Sequence, residues 1–316
     1  MAKRQFEFEL YRLNVVQGEL LLFEDMNKPI SDDQDIAAIL KHSVQPRFTA
    51  EFSGQKNTFR WAVRDFTHYL DAGKGRGEVY GLTLAKSVVE TAGEVVTDTG
   101  IEEGISELEP PIADTGHLFF YMRRHFVAVE RRSAITNSRW RQALQDILKA
   151  AAQELEYSAW IELEPVPRHE EVIEAFRSFE RLTRLRAVLR LPNPELSRYS
   201  KKLYDEMNNG SIREYMQDMK NPRGLNKKEG NLPHATMEMA AAGYKRGEVT
   251  LEGTRKGKQD VVRTGREAAR GRISELRDYV RGMRDLVKTK EGQRVTEAVL
   301  DQIDRIAPVP GEEKKQ

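Results

Sequence analysis

The amino-acid sequence predicts a mixed α+β fold, and three observations lead there. Runs in which apolar and polar residues alternate, the period of a half-buried strand, recur from FEFELYRL near the start to QDVVRT at 259–264. Between them stand segments with apolar residues three and four apart, the spacing of a helix that buries one side. In the middle of the chain the order hairpin, helix, strand, helix, strand implies a sheet with helices packed against it.

From the N-terminus, FEFELYRLNVV and ELLLF read as strands separated by Gln17 and Gly18. SDDQ then opens a short helix, DIAAILKH, capped by Ser31 or Asp32, since either side chain can accept the first free N–H groups. FTAEFSG, TFRWAVRDF and GEVYGLTLAKSVV continue as strands, so residues 1–100 are expected to form a strand-rich N-terminal domain. The stretch from Thr97 to Gly116, TDTGIEEGISELEPPIADTG, is acidic and rich in turn formers; residues 101–116 read as a loop or linker.

Residues 117–194 read as a core unit. Leu118–Met122 and Phe126–Arg131 pair as a hairpin around Arg123 and Arg124, with ordinary solvent-side charges at the tip, while Arg131 and Arg132 are placed to face an anion. NSRWRQALQDILKAAAQEL sets Trp140, Leu144, Ile147, Ala151 and Leu155 on one helical side behind Asn137 or Ser138. YSAWIELEPVP alternates as a strand, and Val172, Ile173, Phe176 and Phe179 mark a second helix. TRLRAVLRLPNP sends Leu185, Ala187, Leu189 and Leu191 one way and Arg184, Arg186 and Arg190 mostly the other, until Pro192 and Pro194 close the unit.

Residues 195–308 read as a helical and basic-hairpin region. A helical span reaches about Met219, the loop KNPRGLNKKEGNLP follows, and HATMEMAAAGY is a brief helix ended by Gly243. GEVTLEG and QDVVRTG are strands joined by the tip TRKGK. A final long helix carries Ile273, Leu276, Val280, Met283 and Val287 at alternating spacings of three and four. That stripe either packs on its own domain or forms the seam of a homodimer. Residues 309–316 read as a flexible tail.

Composition excludes several classes. No apolar run approaches the roughly 20 residues that a spanning helix needs, so membrane insertion is not expected. MAKRQFEFELYRL lacks the continuous apolar stretch of a secretory signal. There is no cysteine, which removes disulfides, thiol nucleophiles and thiolate metal sites and fits a cytoplasmic protein. The net charge of +1 conceals a gradient. Residues 1–200 hold 26 Lys and Arg against 31 Asp and Glu, a balance of −5, whereas residues 244–290 hold 14 against 7, a balance of +7.

Signs of catalysis are weak. Asp146 with Glu162 and Glu164 is the nearest approach to a carboxylate metal set, but cross-strand pairing of these acids with Arg184, Arg186 and Arg190 is the simpler account and the one preferred. RHEEVIE around His169 lacks the second histidine of a zinc-protease helix, and GKGRGEVYG and GTRKGKQ lack the strand-to-helix setting of a phosphate loop. No catalytic residue, metal site or cofactor is assigned.

The basic segment is better defined. Lys220, Arg223, Lys227 and Lys228 occupy a loop, Lys245 and Arg246 follow a helix, and Arg255, Lys256 and Lys258 crowd a hairpin tip. Arg263, Arg266, Arg270 and Arg272 run toward the last helix, where cations oppose the helix dipole unless something acidic lies close. Nucleic-acid phosphates would meet that need; Glu267, Glu275 and Asp278 are the competing internal partners.

In element order, HLFFYM…FVAVERR, the run ending LRAVLRLPNP and the hairpin GEVTLEGTRKGKQDVVRT resemble bacterial and prophage defence proteins of the RexA superinfection-exclusion and KwaB types. The resemblance covers about the last two thirds of the chain and is one of layout rather than motif. It implies a cytoplasmic, dimeric DNA-binding factor of anti-phage defence, working with a possible partner protein. The reading is therefore a non-enzymatic binder of nucleic acid, double-stranded DNA before RNA. Its alternatives are a metal-dependent nuclease subunit and an interaction subunit docking through its C-terminal helix.

Overall fold

A computed structural model describes residues 6–17, 28–69, 75, 77–97, 100–107, 111–132, 135, 139–190, 205–207, 209, 210, 212, 214–273 and 290–308. The strands form two antiparallel sheets with helices against them, the α+β class expected from alternation and helical spacing.

The larger sheet centres on β1 (Phe6–Gln17). One edge of β1 pairs with β7 (Phe126–Glu130), followed in order by β6 (Ala113–Tyr121), β4 (Val79–Thr97), β3 (Asn57–Tyr69) and β2 (Thr49–Ser53). Elsewhere β1 takes β8 (Ala159–Pro165) at Tyr11–Gln17 and β13 (Arg270–Ile273) at Phe6–Glu9. β5 (Gly100–Glu107) pairs with β4 over Glu90–Thr97, bringing this sheet to nine strands.

Alternation along β1 supplies two cores. Tyr11 and Leu13 join Leu82, Leu84, Leu118, Phe120, Val127 and Ile161 beneath α1 (Asp33–His42) and α2 (Trp140–Glu154). Phe6, Phe8 and Leu10 face the other way, with Phe119, Tyr121 and Phe126, and are covered by Val295, Val299, Leu300 and Ile303 of α5 (Lys290–Ile306). Asp32 is the cap of α1, accepting from the N–H groups of Gln34 and Asp35; Asn137 and Ser138 lie outside the described residues.

The smaller sheet has the order β10 (Glu214–Lys220), β9 (Arg181–Arg190), β11 (Val249–Arg255), β12 (Lys258–Thr264). Leu185, Ala187, Leu189 and Leu251 face α3 (His169–Arg177) and α4 (Leu232–Ala241) and make a third core with Phe176, Met237 and Tyr244. Gly253 marks a register shift in β11. A Cβ there would lie 2.1 Å from the Arg181 carbonyl oxygen, so the close approach of the two strands requires glycine.

Several expectations are corrected. Residues 101–116 are no linker: β5 occupies Gly100–Glu107 and β6 begins at Ala113, so one sheet runs through the expected boundary between 1–100 and 117–194. The helical span expected to reach Met219 stops short of it: residues 205–207 are helical, but Glu214–Lys220 is β10. Met216 and Met219 are three apart, but the chain uses the period of two, with Gln217 inward and Met216 outward. Ile273 is not on a seam helix; it ends β13 opposite Phe6 and packs on the core beneath α5. Leu276, Val280, Met283 and Val287 lie outside the described residues, as does ELLLF. At the hairpin tip, Met122–Arg124 is a short 3-10 turn and Arg124 is buried, bonded to Asp304 of α5 at 2.6 Å. Among the described residues no helix is long and apolar enough to cross a membrane.

Candidate nucleic-acid interface

Strand pairing lays out the outer face of the smaller sheet in rows. One row is Lys220, Arg184, Glu252 and Val261, and the next is Asp218, Arg186, Thr250 and Arg263. Beyond it stand Met216 beside Val188 and Glu214 beside Arg190. The opposite parity of each strand is spent on the third core, which is why β9 shows arginine outward at every second position but Val188. Met216 and Val261 are 70% and 58% exposed, so this face also offers apolar surface.

Asp218 is the hub. Arg184 binds it through Nε and Nη2, both at 2.8 Å, while Arg186 and Lys220 approach to 3.5 and 3.4 Å. The Arg184 hydrogen bond, reinforced by neighbouring positive charge, holds the Asp218 carboxyl well below its ordinary range. Arg184 also reaches Glu252 at 3.3 Å. Two carboxylates, Asp218 and Glu252, thus serve three cations, and with Arg263 in the next row the face keeps an excess of positive charge.

The end of the sheet at which β9 begins gathers more. β10 ends there in Lys220 and the Arg223 turn, whose backbone is tied to Leu182 and Thr183. The β11–β12 tip with Lys256 and Lys258 meets the same end through Gly257 N–H on Glu180 and through Arg181 on Thr254. Lys256 takes a left-handed backbone, φ 51°, that only a tight turn asks of it.

The cations of the basic segment divide into three groups. Arg223, Lys228, Lys256, Lys258, Arg263 and Arg266 are exposed, and no ion pair joins them to a carboxylate among the described residues. Lys220, Arg246, Arg255 and Arg270 are paired with Asp218, Glu214, Asp260 and Glu9 at 3.4 to 3.6 Å. Lys227 and Lys245 are turned to the protein's own backbone carbonyls. Lys227 donates to the carbonyls of Phe176, Arg177 and Phe179 and so closes the end of α3. Lys245 is 1% exposed, donating to the Gly247 carbonyl at 2.8 Å. Burial lowers its pKa to about 8, partly opposed by the charge of Glu164.

Arg263 and Arg270 lie on β12 and β13 rather than leading into a helix, and Arg272 pairs with Glu7 at 2.6 Å. Arg131 and Arg132 already face anions, the carboxylates of Glu7, Glu9 and Glu130. The charge gradient alone misses Arg181, Arg184 and Arg186. Their alternation in LRAVLR is the available signal, but in sequence pairing with Glu162 and Glu164 is the simpler account of it.

That pairing holds for one pair only: Arg190 Nη1 donates to Glu162 at 2.6 Å. β8 pairs with β1, not β9, and Glu164 lies near Lys245, its carboxyl raised by burial against the pull of that charge. Asp146 is exposed on α2, whose apolar stripe packs on Ile161 and Leu163, the parity opposite to Glu162 and Glu164. Among the described residues no group of three His, Asp or Glu could hold a metal ion.

These features define a class: an α+β protein whose smaller antiparallel sheet is sealed by two helices on one side and presents a cation-rich face on the other. The chain belongs to the family described as domain of unknown function DUF4747, which matches residues 92–274, more than half of its 316 residues. That span contains all four strands of the smaller sheet. No curated protein matches the chain.

Proposed function

We propose that this protein binds nucleic acid, double-stranded DNA before RNA, through the outer face and basic end of its smaller sheet. The observation that carries the reading is the gathering of Arg184, Arg186 and Lys220 on Asp218, with Glu252 the second carboxylate on Arg184, continued by exposed Arg223, Lys256, Lys258 and Arg263, which pair with no carboxylate among the described residues. Exposed cations without internal partners exchange small counterions for phosphates, which yields affinity that depends on salt rather than on base sequence. The outward positions named in the rows above include no aromatic side chain, so base stacking of the kind used by single-strand binders has no platform there.

The test is fluorescence anisotropy with a labelled duplex. If six or more phosphates are engaged, affinity falls by about a thousandfold between about 50 and about 200 mM salt. Lys256→Glu with Lys258→Glu and Arg263→Glu should weaken binding and flatten the salt slope by about one unit for each phosphate no longer engaged. Lys56→Glu, exposed at the β2–β3 turn of the other sheet, serves as the control that should leave both unchanged. Binding that is equally tight in the triple variant excludes this face. A role in bacterial anti-phage defence, for a chain that can form a homodimer, is part of the proposal and draws its support from the element-order resemblance alone. Unchanged phage plating on cells expressing the chain would remove it.

A further inference from the structure

Residues 87–116 contain eight Asp or Glu and no Lys or Arg. They build a feature that the binding face does not use. β3 follows β4 only as far as Thr91, so from Ala92 onward β4 has β5 as its partner and the two run on as a two-stranded ribbon. The other edge of β5 pairs with no strand among the described residues. On one side of the ribbon Ala92 stands opposite Ile105 and Val96 opposite Ile101, with Glu94 opposite Glu103 between them. Ile101 and Ile105 are 69% and 65% exposed.

An open strand edge carrying exposed isoleucines is a pairing surface that proteins ordinarily blunt. Here acids blunt it against itself. Pairing β5 with β5 of another copy would bring Glu102, Glu103 and Glu107 of both strands onto one short seam, and like charges held that close repel. The occupant must therefore be cationic and partly apolar. The outer face of the smaller sheet has that composition, with Arg181, Arg184, Arg186 and Lys220 around exposed Met216 and Val261.

We infer that the acidic ribbon of one copy docks on the outer face of the smaller sheet of a second copy, covering the surface that would otherwise take phosphates. Reciprocal exchange of two ribbons closes a twofold dimer, with each copy giving and receiving the same contact. Self-association and nucleic-acid binding are then alternative uses of one face; only this competition rests on the proposed function.

The experiment is sedimentation velocity on the full chain, alone and with a duplex. Wild type should associate at about 50 mM salt and dissociate as salt rises, since exposed charges dominate the contact. Glu102→Lys with Glu103→Lys should weaken association about tenfold or more, as should Ile101→Ser with Ile105→Ser. Mixing the Glu102→Lys, Glu103→Lys protein with one carrying Arg186→Glu and Lys258→Glu should restore a heterodimer, because the signs again match. Monomeric wild type at low salt, or ribbon variants that associate as tightly as wild type, overturn the docking. A mixture that stays monomeric overturns the choice of occupant. Added duplex should release monomers. If it binds intact dimers, the competition is wrong. If wild type associates through the ribbon but binds no duplex, the nucleic-acid reading fails while the docking stands.

Discussion

Lys245 and Asp218 show how differently two charges in one basic region can be treated. Asp218 lies on an open face, satisfied by three cations. Lys245 is enclosed, with a carbonyl for its hydrogen bond and Glu164 as the nearby opposite charge. Its pKa is about 8 in the fold against an ordinary 10.5. Between those values the unfolded chain holds a proton that the folded chain has lost, so this group makes stability rise with pH across that window; below about 8 both states are charged and the slope vanishes. In urea unfolding from pH 8 to pH 10.5, wild type should therefore gain stability relative to Lys245→Met. A constant gap between the two proteins would mean that the ammonium is not desolvated. Nothing in the local sequence GYKRGE separates Lys245 from its exposed neighbour Arg246. What distinguishes them is the return of this segment against β9, where Lys245 bridges Leu189.

At the scale of single elements, the hairpins are legible because alternation within a few residues settles both parity and turn. The β11–β12 pair with its tip at Lys256 and Gly257 is the clearest case. β10 is not legible: EYMQDMK satisfies a helical spacing as well as a strand one, and its pairing with β9 across an intervening segment decides between them. The bulge at Gly253 has the same character, since only the tertiary approach of Arg181 shows why glycine stands there. Gly253→Ala should cost about 1–3 kcal/mol in equilibrium unfolding, because backbone rather than a movable side chain occupies the space. A variant as stable as wild type would show that the strands can separate at the bulge.

For the molecule as a whole, the larger sheet is covered on both faces, and α5 supplies one of the covers. Its stripe of Val295, Val299, Leu300 and Ile303 follows helical spacing in QRVTEAVLDQIDRI, a signal that the more regular spacing at 273–287 overshadows. Leu300 is fully buried, so Leu300→Ala should destabilise the protein by about 2–5 kcal/mol in urea unfolding. A change below about 0.5 kcal/mol, the level of an ordinary surface substitution, would place α5 outside the cooperative unit. The same covering makes Arg124 internal, since Asp304 of α5 arrives over a hairpin tip that looks solvent-exposed in sequence.

The sequence by itself determined the α+β class, the order of strands and helices over residues 117–190 and 232–264, and the concentration of positive charge. Those properties follow from spacing and composition, which act over a few residues. The tertiary structure decided which strands share a sheet, bringing β13 and β8 to β1 across well over a hundred residues. It also decided the fate of each cation: Lys227 on the end of a helix, Lys245 enclosed, Arg184 clasping Asp218, and Arg263 open to solvent. Charge fixes what a side chain can bind, but its partner depends on which surfaces meet when the cores close, and that is not a local property of the chain.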